Sequence, residues 1–160
     1  MRIIAILLTA FLGSVSVSAQ SSSETTPIEA LIYKYDRQKG AKSLIAKGPA
    51  MTVARGLIRK SPAAPIADYV DELTVLNLGK ASPQVIGKFL ADLKGVLQLY
   101  DYMGKSNGTN GIVDVYVSRA KGEYIPELVV YNPKSVSVFS LKGDIPLATL
   151  DSMRTQLLPE

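Results

Sequence analysis

Apolar residues recur at helical spacing in four stretches of the chain, and each stretch begins beside a proline. Thr26 supplies a capping hydroxyl, Pro27 occupies the first turn, where its missing N–H costs no hydrogen bond, and Glu29 completes a capping box. Ser82 and Pro83 give the third stretch the same kind of start. The pattern predicts helices over about 27–37, 50–58, 83–94 and 146–157.

Alternation of apolar and polar residues replaces this helical spacing in the second half of the chain. Val113, Val115 and Val117 share one face of a predicted strand, whereas the residues between them share a partly solvated face. Two further segments in the first half also have the character of strands. The predicted strands cover about 41–46, 71–78, 97–103, 112–118, 127–131 and 136–141.

This order of elements predicts an α+β fold with a mainly antiparallel sheet. The last four strands would form a C-terminal meander, because only short turn-forming segments separate them, and the helices would pack on one face of the sheet. The proline-rich segment 61–65 could divide the chain, but each half would be small for an independent core. We therefore expect one domain over 27–160.

The N-terminal residues have the pattern of a secretory signal. Arg2 precedes the apolar run 3–13, and small residues follow up to Ala19. The run is shorter than the ~20 residues of a membrane-spanning helix, and no later segment has that length either. We expect cleavage after Ala19, a flexible leader over 20–26, no transmembrane span in the mature protein, and a location in the bacterial periplasm or the medium.

Several segments of the second half resemble a known family. The resemblance rests on Tyr100 and Met103, the hairpin 112–117, the segment 127–129, and Gly143-Asp144-Ile145 before the last helix. The first helix, Gly40 and the second helix match as well, so that most of the mature chain is covered. On these segments the chain resembles an uncharacterised family of exported bacterial proteins, domain of unknown function 4252. The resemblance implies export and a fold type, and it carries no activity, catalytic residues or cofactor.

Composition excludes several classes of chemistry. The 160 residues include no histidine, no cysteine and no tryptophan, with 47% hydrophobic and 20% charged residues. Cys/His zinc sites, haem ligation by His or Cys, thiol nucleophiles and Ser-His-Asp triads are therefore absent. No glycine-rich phosphate loop follows a strand, and we expect no cofactor and no metal site.

Two weak signals leave a hydrolase open as an alternative. Ser118 and Lys121 have the spacing of a serine activated by a lysine one helical turn away, although they follow a predicted strand. Asp68, Asp71 and Glu72 cluster before another strand, where paired carboxylates could act as acid and base. Such a cluster more often keeps a strand edge charged and solvated.

Charge is unevenly distributed along the chain, whose net charge is +4. Residues 34–60 contain eight basic residues and one acid, whereas residues 101–160 contain six basic and seven acidic residues. The basic segment is a candidate binding surface for an anionic envelope partner, which could be a membrane surface, an acidic glycan or an acidic protein. Nucleic acid fits the charge but not the export signal. The candidate surface consists of Lys34, Arg37, Lys39, Lys42, Lys47, Arg55, Arg59 and Lys60.

The sequence thus predicts an exported, non-enzymatic binding or regulatory module of the bacterial cell envelope. The alternative is a small periplasmic hydrolase that uses Ser118 with Lys121, or the acids near Asp71. A concave pocket in which those groups converge would favour the hydrolase, and an open surface would favour the module.

Overall fold

The computed structural model describes residues 24–108 and 110–159. The predicted signal sequence and residues 20–23 of the predicted leader lie outside them. The helices are α1 (Pro27–Tyr35), α2 (Met51–Ile58), α3 (Pro83–Leu97) and α4 (Leu147–Arg154), with short 3-10 helices at Gly48–Ala50 and Ala64–Tyr69. The strands are β1 (Lys42–Lys47), β2 (Val70–Asn77), β3 (Asp101–Gly108), β4 (Gly111–Val117), β5 (Tyr124–Asn132) and β6 (Ser137–Pro146).

All six strands form one antiparallel sheet with the order β1-β2-β6-β5-β4-β3. The last four strands are neighbours in chain order, which confirms the predicted meander. Strand β2 pairs with β6, the last strand of the chain, so the first two strands extend the meander at one edge. The predicted α+β class with a mainly antiparallel sheet is confirmed.

The helix starts follow from local chemistry. The Thr26 hydroxyl accepts a hydrogen bond from the Glu29 backbone N–H at 3.2 Å, and the Thr26 N–H donates to the Glu29 carboxylate at 3.1 Å. These two bonds form the predicted capping box, which satisfies two backbone donors at the start of α1. The Ser82 hydroxyl accepts from the Val85 N–H at 3.2 Å at the start of α3. Both predicted caps are confirmed.

Helices cover both faces of the sheet, so the prediction of helices packed on one face is wrong. On one side, here called the α1 face, α1 and α3 pack over residues such as Leu76, Val129 and Val138. On the other side, the α2 face, α2, α4 and the segment 64–69 pack over residues such as Leu73 and Leu128. The reason is that neighbouring residues of the central strands are both buried, so each side of the sheet is apolar and needs its own cover.

Strand β3 differs from its predicted bounds at both ends. Helix α3 continues through Gly95 to Leu97, and β3 begins only at Asp101. It then runs to Gly108 through residues whose composition predicted a turn. Gly104 makes this possible, because it adopts a positive φ of 140° beside an irregularity in the β3–β4 register.

Within the described residues, no helix has the length and apolar character that a membrane crossing requires.

Candidate ligand-binding site

The α2 face of the sheet consists of parallel rows of side chains, which the strand register defines. Residues that pair across neighbouring strands lie side by side, and every second residue of a strand points to the same face. The inner row is Ala46, Leu73, Leu141, Leu128 and Val117. The middle row is Leu44, Val75, Phe139, Val130 and Val115. The end row is Lys42, Asn77, Ser137 and Asn132.

The helices bury the inner row and leave most of the middle row incompletely covered. Every residue of the inner row is at most 8% exposed. In the middle row, by contrast, Leu44 is 51% exposed, and Val75, Phe139 and Val130 are only partly buried. Helix α2 has eight residues and is therefore about 12 Å long. Five strands at a spacing of about 4.8 Å span roughly 19 Å, which exceeds the length of this helix.

A cavity of about 360 Å³ occupies the space above the middle row. Its floor is formed by four middle-row residues and Val113, and its inner boundary by Leu73 and Leu141. The C-terminal part of α2, with Leu57 and Ile58, and the segment 61–63 form the opposite wall. Gly108 and Asn110 of the β3–β4 hairpin and Asn132 border the remaining side. The volume is within the range of small-molecule sites.

The described lining of this cavity is uncharged. Two of its polar side chains, Asn132 and Ser61, form local hydrogen bonds. The side-chain oxygen Oδ1 of Asn132 accepts from the backbone N–H groups of Lys134 and Ser135, at 3.0 and 3.3 Å. The Ser61 hydroxyl donates to the Ile58 carbonyl at 2.7 Å and accepts from the Ala63 N–H at 3.1 Å. The cavity therefore offers an apolar floor with little polar chemistry.

A second depression lies between α1 and α3 on the α1 face. It is lined by parts of both helices, including Leu31, Lys34, Asp92 and Leu99, and has a volume of about 510 Å³. It is wider open to solvent than the cavity on the α2 face, and Lys34 and Asp92 form a salt bridge of 2.8 Å at its border. An apolar ligand would lose less contact with water there, so the less open cavity on the α2 face is the better candidate site.

The α1 face contains a row of alternating charge that is buried at Glu127 and Lys142 and exposed at Lys47, here called the charge row: Glu127, Lys142, Glu72 and Lys47. These residues pair across β5, β6, β2 and β1. The Lys142 ammonium donates to both carboxylate oxygens of Glu29 on α1 at 2.9 Å and lies 3.8 Å from Glu72. Glu29 and Lys142 are at least 94% buried, so their ion pair attaches the start of α1 to the sheet.

Glu127 lies at the end of the charge row and accepts three hydroxyl hydrogen bonds. Tyr100 donates to one carboxylate oxygen at 2.5 Å, and Thr26 donates to the other at 2.7 Å, as does Ser140. Burial raises the pKa of Glu127 above its ordinary value of 4.5, and the hydroxyl donors oppose this shift. None of these groups lines either depression, and their hydrogen bonds join the start of α1 to β5 and β6.

The groups that suggested a hydrolase do not converge. The Ser118 hydroxyl donates to the Glu127 carbonyl at 3.2 Å and accepts from its N–H at 3.0 Å, which places it in the β4–β5 ladder, and Lys121 lies exposed in the following turn. Asp68 pairs with Arg59 at 2.5 Å on the surface. Asp71 and Glu72 are neighbours in β2 and point to opposite faces, with Glu72 in the charge row.

The eight basic residues of the candidate surface are distributed around β1, the edge strand of the sheet. Lys34 lies on α1 and Arg55 on α2, which cover opposite faces, so the eight side chains do not share one side of the sheet. Four of them lie within 4.0 Å of a carboxylate: Lys34, Lys47, Arg55 and Arg59. The other four have no ion pair among the described residues: Arg37, Lys39, Lys42 and Lys60.

The cavity was not predicted from the sequence, although the strands carry a signal for it. Segments 73–77 and 128–132 both read apolar-x-apolar-x-Asn, and segment 137–141 has the reverse order with serine at the polar end. This repeated pattern marks strands that end together in a polar row. It indicates a shared face only once the pairing of the strands is known.

Comparisons of this chain with known proteins found no match. No family model matches the chain, and neither the curated proteins nor the solved structures include a match. Only the geometry and chemistry of the site therefore bear on function.

Proposed function

We propose that this protein is an exported, non-enzymatic binding module of the bacterial cell envelope, and that the cavity on the α2 face takes the apolar part of its ligand. The observation that carries the proposal is the middle row, a strip of apolar side chains that the fold leaves incompletely covered beneath a partly open cavity with an uncharged described lining. A ligand that fills this space removes apolar surface from water, which favours binding by roughly 25 cal/mol per Å² before the costs of association.

The distribution of polar groups supports binding without chemistry. The carboxylates of Glu29 and Glu127 on the α1 face are buried, and the hydroxyl of Ser118 is bonded to backbone. The cavity itself presents no described side chain that could serve as a nucleophile with a neighbouring base. A module that holds an apolar group needs a concave apolar surface of suitable size, and the cavity provides one.

Calorimetric titration with octan-1-ol tests the proposal. The purified protein should bind it saturably, and Val75→Phe, which places ring atoms in the cavity, should weaken the affinity at least about tenfold. Val53→Phe is the matched control, because Val53 is an exposed residue of α2 outside the cavity lining. Absence of saturable binding, or equal affinity in the Val75→Phe variant and the wild type, would contradict the proposal.

A further inference from the structure

We infer that the ligand is a single-chain amphiphile with an anionic head, whose aliphatic chain lies in the cavity and whose head lies at the end row between Lys42 and Lys134. The inference rests on the proposed function and adds a charge to the ligand. It depends on the charged residues at the end of the sheet that the cavity approaches, in the end row and in the loops beside it.

Lys42 places a cation on the cavity side of the sheet. It precedes Leu44 by two residues in β1, so the two side chains share the α2 face, and Leu44 lines the cavity. Lys42 pairs with Asn77 in the end row, directly beside the middle row. No carboxylate of the described chain forms an ion pair with it.

Lys134 approaches the same end from the β5–β6 turn. Its backbone N–H donates to the side chain of Asn132, which lines the cavity. Its side chain runs beside Gly111, where a β-carbon would lie 3.4 Å from the Lys134 Cδ. Gly111 pairs with the cavity-lining residue Gly108. Lys134 likewise has no ion pair among the residues described.

The loops that meet at this end reinforce the positive charge. Gly40 packs so closely against the Lys80 carbonyl that a β-carbon would lie 2.2 Å from it, and one at Gly79 would lie 2.9 Å from the Ser135 carbonyl. The segments 36–42, 78–82 and 132–137 are therefore neighbours. Together they contain five basic residues and one acid. An anion at the end row would lie in this positive field, whereas a neutral head would gain nothing from it.

The middle row and the end row thus suit the two parts of an amphiphile. The middle row accepts methylene groups, and the next row, one residue pair further along the strands, begins with an unpaired ammonium group. Exposed ion pairs contribute modestly, so we expect the two lysines to favour the anion over a neutral alcohol of equal length by roughly tenfold at low salt. The preference should shrink as salt is added.

Titration with octanoate and octan-1-ol separates charge from chain length. At neutral pH octanoate is ionised, and it should bind the wild-type protein about tenfold more tightly than the alcohol at low ionic strength. The double variant Lys42→Gln/Lys134→Gln should lose this preference and keep its affinity for octan-1-ol. The control variant Lys88→Gln/Lys121→Gln has the same net charge and changes two lysines outside the end row, so it should bind both ligands as the wild type does.

Two further binding experiments distinguish a free single-chain anion from the anionic surface of a membrane. Octyl phosphate should compete with octanoate if any single-chain anion is accepted, and vesicles of phosphatidylglycerol test for attraction to a membrane surface. Binding to vesicles without binding of octanoate, equal affinity for octanoate and octan-1-ol, or a preference that persists in the Lys42→Gln/Lys134→Gln variant would overturn the inference. Absence of octan-1-ol binding would overturn the proposed function as well, so the two failures are distinguishable.

Discussion

At the scale of single residues, Glu127 shows how an acid is retained in the interior. Its carboxylate is buried, and three hydroxyl groups replace the water that it loses. Tyr100 is fixed in turn, because its hydroxyl accepts from the Ile28 N–H at 3.3 Å, and burial raises the pKa of this tyrosine as well. The cluster therefore joins the start of α1 to β5 through side chains that are far apart in sequence.

Glu127 should make the stability of the protein depend on pH. Its pKa is raised in the folded state, so its contribution to the free energy of unfolding is complete below the ordinary value of 4.5 and is lost as the pH rises through the raised value. Glu127→Gln cannot titrate. Denaturant unfolding of both proteins over a pH series should show the wild type losing stability relative to the variant as the pH increases. A difference that is constant, or that changes in the opposite direction, would refute this assignment.

At the scale of elements, the sequence predicted those features that local chemistry determines. The caps of α1 and α3 lie within a few residues of the helices that they start, and the alternating valines of β4 are buried as predicted. The prediction that all helices cover one side of the sheet was wrong, because it relied on β4, in which buried and more exposed residues alternate. Strands β5 and β6 do not share this alternation. In those strands Leu128 and Val129, or Val138 and Phe139, fill both faces.

The attachment of α1 to the sheet depends on the Lys142–Glu29 pair. Lys142→Met leaves the Glu29 carboxylate buried without its partner, so we expect a loss of about 3–5 kcal/mol of unfolding free energy. The double variant Glu29→Gln/Lys142→Met removes both charges and should be more stable than Lys142→Met alone. Denaturant unfolding of the two single variants and the double variant gives the coupling free energy. If the effects of the single changes simply add, the pair does not hold α1.

A surface contact also joins α1 to α3. Lys34 and Tyr35 both donate to the Asp92 carboxylate, at 2.8 and 2.7 Å, and these bonds lower the pKa of Asp92. Burial, together with its bond to Asp92, raises the pKa of Tyr35 to about 12. Lys34 was predicted as part of a binding surface, and in the folded protein it is paired within the chain. A basic segment in a sequence does not reveal which of its members fold against acids.

At the scale of the whole molecule, the cavity results from strand pairing that no local pattern specifies. Leu44, Val75 and Val130 belong to three strands, and they lie in one row only because β2 inserts between β1 and β6 while β5 pairs with β6. The sequence does record which residues are apolar, and it places the ends of β2 and β5 within one residue of Asn77 and Asn132. The pairing of distant strands is a tertiary property, so the site could not be assembled before the topology was known.

Export is a second property of the whole chain, and it is tested independently of the cavity. The apolar run 3–13 and the small residues up to Ala19 predict that the mature protein begins at Gln20. N-terminal sequencing of the protein recovered from an envelope fraction should give Gln20 as the first residue. Recovery of the protein with Met1 in place would contradict cleavage.

The most direct test of the account is to locate the ligand on the sheet by methyl chemical shifts. Titration of octan-1-ol into isotopically labelled protein should shift the methyl signals of Leu44, Val75 and Val130, which lie in the middle row. Val129 and Val138 belong to the same sheet but point to the α1 face, and their signals should stay in place. Saturable shifts confined to the methyl groups that line the cavity are the predicted result. Shifts that are absent, or that appear equally at Val129 and Val138, would contradict the account.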